Sequence, residues 1–192
     1  MPRTNSGRMA SALNRYDIER VLLDTLRAAA DEPGAALAAD FRLGTGAVCA
    51  DLAVLAGEWI GFAIRAADEP VSDVPHALRA YARFFDRVAL VVDARHLPAL
   101  RPVDLGGAAL WSVTDDGKLV EHAAGAANVV GMSALLDLLS VDERRGLLRP
   151  LISKGPVYDR SAPPITAAEV RRYVEATLAA EHGATAALLR AA

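Results

Sequence analysis

Residues 50–70, ADLAVLAGEWIGFAIRAADEP, decide how the chain is read. Two apolar runs flank Ala56, Gly57 and Glu58, and each reads as a strand: Val48 to Leu55, then Trp59 to Ala66. If Ala56-Gly57-Glu58 closes a hairpin, Asp51 on the first strand stands opposite Ala63 on the second. Arg65 shares that face, because side chains two apart on a strand point the same way. One row of the sheet then carries an acid, a methyl group and a cation.

Working outward, apolar residues at Ile18, Val21, Leu22, Leu26 and Ala29 fall on one helical face and predict a helix from Asn14 to Ala30, closed by Pro33 and Gly34. Ala35 to Arg42 is read as a first strand, with Gly44 and Gly46 loosening the turn that follows. Downstream, Asp73 to Phe85 is predicted helical, with Leu78, Tyr81, Ala82 and Phe85 inward and Ser72 or Asp73 as cap. RVALVVD, residues 87–93, is a continuous apolar run of strand length, as expected for a strand buried on both faces. Strand, helix and strand at this spacing predict a right-handed crossover, and an order α-β-β-β-α-β.

The remainder adds a hairpin and helices. AALWSVT (108–114) and KLVEH (118–122) flank Asp115-Asp116-Gly117, a hairpin signal. Met132 to Leu139 reads as a short helix. Ser140 with Glu143, and Thr166 with Glu169, form capping-box patterns ahead of two more helices, the second over Ala167 to Ala180. This divides the chain into a flexible tail (1–13), a core domain (14–149), a proline-rich linker (150–165) and a C-terminal helix (166–192). Val170, Tyr173, Val174, Thr177 and Leu178 share a face of that helix, which must be buried either on its own domain or against a second copy of the chain, the second being slightly favoured.

With 192 residues, 53% of them apolar and 23% charged, the chain is long enough to bury a core. Cys49 is the only cysteine, so no intrachain disulfide can form and a reducing compartment is expected. Met1 to Asn14 holds Arg3 and Arg8 but no apolar run suited to a signal peptide, and no stretch approaches a membrane span; the reading is a soluble, cytoplasmic protein. A formal charge of −3 provides no global attraction to nucleic acid, so any such binding needs a local patch.

The α-β-β-β-α-β order, together with residues 50–70 and HALRAYARFFDRVALVVDARHLP (76–98), resembles the PD-(D/E)XK, or restriction-endonuclease-like, nuclease superfamily. More narrowly, it is similar to a small, poorly characterised bacterial family within it. The matching frame is Asp17, Asp51, Gly61-Phe62, Ile64, Tyr81, Phe85-Asp86 and Arg95-His96, covering roughly Asp17 to Leu148. The resemblance implies a mixed sheet flanked by helices. It also implies a site where carboxylates hold Mg²⁺ against a phosphodiester and a Lys activates water. The departures fall on that site. Ala63 replaces the metal-binding Glu, and Arg65 stands for the Lys with a pKa too high for base work. Ala66 and Ala67 replace the polar pair that follows, and Ala77 the helix Gln.

Each of these residues also has a plain structural role open to it. Asp17 suits the first turn of a helix, and Asp24 lies two turns further along as a solvated acid. Asp51, costly if buried unpaired, is expected to form a salt bridge with Arg65, with Asp17 completing a remnant cluster. Trp59, Tyr81 and Phe85 read as core aromatics, His96 as a loop tether and Cys49 as a small apolar residue. His76, His122 and His182 lack ligand spacing for zinc. Three functions stay open. The first is a catalytically inactive nuclease-like protein that binds nucleic acid or a protein partner, without a cofactor. Its nucleic-acid contacts would come from Arg65 or from the basic residues Arg144, Arg145, Arg149, Lys154 and Arg160, diluted by Asp142, Glu143 and Asp159. The second is an active Mg²⁺ nuclease whose missing ligand comes from Glu58, Asp68 or Glu69 beside Asp51. The third is a structural or regulatory homodimer without nucleic acid.

Overall fold

The computed structural model describes residues 12–30, 36–44, 48–152 and 165–191. Pro33, Gly34, Gly46, Lys154 and Arg160, and most of the expected tail and linker, lie outside them, as does the side chain of His182.

The chain runs α1 (Arg15–Ala30), β1 (Ala36–Arg42), β2 (Cys49–Ala56), β3 (Glu58–Arg65), α2 (Val74–Tyr81) and β4 (Arg87–Asp93). A single 3-10 turn (Ala94–His96) leads into α3 (Leu97–Leu100), β5 (Ala109–Val113), β6 (Leu119–Ala123), α4 (Met132–Asp137), α5 (Val141–Ile152) and α6 (Ala167–Ala191). The six strands form one mixed sheet in chain order. β1, β2 and β3 are antiparallel neighbours, β3, β4 and β5 run parallel, and β6 returns antiparallel to β5. The expected α-β-β-β-α-β order is present, and α2 makes the crossover between parallel β3 and β4.

Strand alternation gives the sheet two apolar faces. Ile18, Leu22 and Leu26 of α1 cover Leu52, Val54, Phe62, Ile64 and Val91 on one. α2, α4 and α6 cover Ala53, Leu55, Trp59, Ala63, Leu90 and Val92 on the other. In β1 the alternation is broken by Asp40, which takes a left-handed backbone (φ 49°). That conformation is tolerated by Asp better than by most side chains. It leaves Ala39 and Asp40 exposed while Ala38 and Phe41, three apart, both join the core. Gly61 is required by packing. A Cβ there would come within 2.3 Å of the Phe85 ring, which lies flat on the β3 backbone and tilts against Phe41 and Tyr81. Trp59 and Phe85 are fully buried and Tyr81 nearly so, as core aromatics.

Four expectations are corrected. α2 ends at Tyr81 rather than Phe85, because Phe84 and Phe85 are both buried; the backbone tightens into turns, with Phe84 N–H bonding Tyr81 O, and α2 stops. α5 runs through Pro150 to Ile152, so the linker does not begin there. The segment 1–13 is not wholly a free tail, since Leu13 N–H donates to Asp93 and Leu13 O accepts from Ala67 N–H. Lastly, α6 is no appendage seeking a second copy. Val170, Val174 and Leu178 are buried against β1 and α4 of the same chain, where Ala36 and Ala38 present a low surface to the helix.

Candidate functional site

The β2–β3 ladder runs from Ala56–Glu58 to Leu52–Phe62 and ends there, which leaves Asp51 one residue beyond the last pair, with its carboxylate on the Ile64 N–H. These residues lie where β3 ends beside β4, a position at which open α/β sheets commonly bind ligands.

Asp51 is surrounded by donors. Its Oδ1 receives Arg15 Nη2 at 2.5 Å. Its Oδ2 receives the Ile64 N–H at 2.7 Å and Arg65 Nη1 at 3.5 Å. Arg65 is held further by Asp73 (2.8 Å) and by the Ile64 carbonyl (2.8 Å). Arg15 also bonds Glu69 and Glu19, both at 3.0 Å, and the second Glu69 oxygen accepts the Ala66 N–H at 2.7 Å. Two guanidinium groups thus meet four carboxylates, leaving the cluster acidic. Burial would lower the Arg15 pKa, but Asp51 and Glu69 outweigh it and hold the group above its usual value. Burial would raise Glu69, yet the Ala66 N–H and Arg15 together bring it below the usual carboxylate range. Tyr81 donates to the Cys49 carbonyl at 2.6 Å, and burial together with the Asp51 charge pushes its hydroxyl up.

The expected Asp51–Arg65 contact is present, but Arg15 is the nearer partner, and sequence reasoning missed it. A usable signal exists in the sequence: a cation in the first turn of a helix opposes the helix dipole and is favoured only when carboxylates gather around it. Asp17 does not join the cluster. It caps α1 in a reciprocal pair with Asn14, its carboxylate accepting the Asn14 N–H while its own N–H bonds Asn14 Oδ1. Ala63, where a metal-binding acid would stand, is fully buried in the core.

The fallback ligands do not converge. Glu58 sits at the opposite end of β3 from Arg65, bonded to Arg87 at 2.7 Å, and Asp68 is exposed in the turn after β3. Glu69 does reach the cluster, through Arg15. His96 lies with Nε2 2.6 Å from the Ala66 carbonyl, which fixes that nitrogen as a donor and the residue as a loop tether. His122 contacts the buried Ser112 at 2.8 Å. Cys49, expected as a small apolar residue, is exposed at the start of β2.

The basic candidates scatter. Arg65 is turned inward. On α5, Arg144 bonds the Leu139 carbonyl at 2.9 Å and Arg145 pairs with Asp142 at 3.2 Å, while Arg149 is exposed. Both expected capping boxes form, Ser140 with Glu143 and Thr166 with Glu169. A second charged cluster joins α6 to the sheet. Arg171 forks onto Asp86, whose carboxylate also takes the Trp59 N–H at 2.7 Å. The guanidinium lies 4.8 Å from the Trp59 ring, and Glu175 accepts the indole N–H at 3.1 Å. No helix among the described residues is long and apolar enough to cross a membrane.

The family described as bacteriophage P4 protein cII matches residues 9–192. A solved structure of a protein of unknown function from Silicibacter pomeroyi aligns at 15% identity and a TM-score of 0.48, covering 77% of this chain and 99% of that one. No curated protein matches the chain.

Proposed function

The chain belongs to the bacteriophage P4 protein cII family, and we propose that it is a restriction-endonuclease-like protein that does not cleave phosphodiesters and works by binding. The order α-β-β-β-α-β and a mixed sheet ordered as the chain runs support the fold side of this reading. What carries the functional side is the state of Asp51: both carboxylate oxygens are already engaged, by Arg15 on one side and by Ile64 N–H with Arg65 on the other. A Mg²⁺ ion needs near-octahedral oxygen ligands at about 2.1 Å, and here it would have to displace a guanidinium and then lie close to that positive charge. With Ala63 buried and Glu58 at the far end of β3, the acids that do reach the cluster, Glu69 and Asp73, are themselves bonded to Arg15 and Arg65. Arg65, always protonated, cannot act as a base.

The test is incubation of the full chain with plasmid, single-stranded DNA and structured RNA in Mg²⁺ or Mn²⁺, alongside Asp51→Ala. No product above the Asp51→Ala background is expected, and Mg²⁺ should leave the Tm unchanged. Cleavage present in the wild type and lost in Asp51→Ala would overturn the proposal, as would a Mg²⁺-induced rise in Tm that Asp51→Asn abolishes.

A further inference from the structure

We infer that the outward face of α2 and of the turn continuing it, carrying His76, Arg79 and Arg83, binds the phosphate backbone of nucleic acid; the inference rests on the non-catalytic binding role above and names its partner. Between Asp73 and Asp86 the chain contains no acid, and its polar positions place His76, Arg79 and Arg83 at i, i+3 and i+7, one side of a helix. All three are exposed, with the Arg83 side chain 66% open. Among the described residues Arg79 has no hydrogen-bond or ion-pair partner. The acids bounding the stretch are committed elsewhere, Asp73 to Arg65 and Asp86 to Arg171. Arg83 makes a long ion pair with Asp137 at 4.0 Å, and its guanidinium is held 5.3 Å from the Phe84 ring centroid. Stacking of this kind orients a guanidinium while leaving its N–H groups free to donate.

The face is continuous with the remnant site, since Asp73, immediately before α2, grips Arg65. The arginines expected from sequence are poorer choices: Arg65 is locked in an acidic cluster, Arg144 bonds the Leu139 carbonyl and Arg145 pairs with Asp142. With −3 overall, the protein has no general attraction to polyanions, so binding would concentrate on a local basic patch.

The experiment is fluorescence anisotropy of a labelled mixed-sequence duplex of roughly 20 base pairs, titrated with the full chain at about 50 and about 200 mM salt. Wild type should bind and weaken with salt. Arg79→Gln/Arg83→Gln should bind about 10-fold more weakly and lower the log–log salt slope by about 2, one for each lost phosphate contact. Arg79→Lys/Arg83→Lys should retain most of the binding, and Arg145→Gln/Arg149→Gln should bind as wild type. Equal Tm values for these variants would exclude unfolding as the cause. Absence of salt-dependent binding by the wild type, equal loss in the α5 variant, or displacement of the duplex by polyglutamate at matched charge would each overturn the inference. The last outcome would mark the patch as a seat for acidic protein. Gel analysis of the same samples separates the two readings: cut DNA sinks the non-catalytic role, while intact but unbound DNA sinks only the α2 assignment.

Discussion

Asp51 is held unequally by its two arginines. Arg15 approaches Oδ1 at 2.5 Å and also binds Glu69, so its removal leaves two carboxylates short of a cation. Arg65 stands at 3.5 Å, and its closer acid, Asp73, is 60% exposed and loses little when the pair is broken. Arg15→Met, which keeps the apolar stem, is therefore expected to cost about 1–3 kcal/mol, the range for hydrogen bonds to charged groups extended downward because the Arg15 side chain is 35% exposed. Arg65→Met should cost less. Urea unfolding of the two variants checks the order, and an Arg65→Met loss equal to or above that of Arg15→Met would show that the longer contact governs the site. The same asymmetry marks what could be read beforehand. Arg65 on the same face of β3 as Ala63 follows from strand alternation, and Asp51 near the end of that strand from one tight turn, both local. Arg15 reaches Asp51 only because of where α1 crosses the sheet, and no period in the sequence encodes that placement.

Among the elements, those with a strong period were legible and their partners were not. β4 was readable to the residue because a continuous apolar run of that length has few other fates. The buried face of α6 was legible too, through Val170, Val174 and Leu178. Amphipathicity identifies the side to be covered without saying what covers it, and here the cover is β1, whose alanines carry no helical or strand signature of a docking site. The Arg171–Asp86 pair that fastens α6 makes this docking sensitive to acid. Burial by itself would raise the Asp86 pKa, but the hydrogen bonds from Arg171 and the Trp59 N–H outweigh it and hold the carboxyl below its usual value. Because the folded value is depressed, the stabilisation is fully present above the unfolded Asp range, about pH 4, and is lost as pH falls through the folded value. Thermal melts of wild type should therefore decline on acidification below about pH 4 more steeply than those of Arg171→Gln. Parallel curves would show that α6 docking does not depend on the charge of Asp86.

For the molecule as a whole, α6 decides whether the sheet is covered by its own chain or by another. Val170 and Val174 are fully buried and Leu178 nearly so. At about 1.5–3 kcal/mol for each buried aliphatic side chain, these three account for roughly 4.5–9 kcal/mol as an upper figure. A domain of this size has a total stability of only about 5–15 kcal/mol, so the helix supplies a share that the remaining core cannot readily replace. Its loss would also leave Asp86 without Arg171 and the Trp59 indole N–H without Glu175. A chain ending at Pro164 is thus expected to melt far below the full chain, or without cooperativity, and to expose the alanine-lined face of β1 to aggregation. If α6 instead joined two copies, the shortened chain would change its mass in solution from dimer to monomer while keeping its Tm. Light scattering and thermal melting on the same two proteins separate these cases. A cooperative transition at the full-chain temperature would return α6 to the status of an appendage.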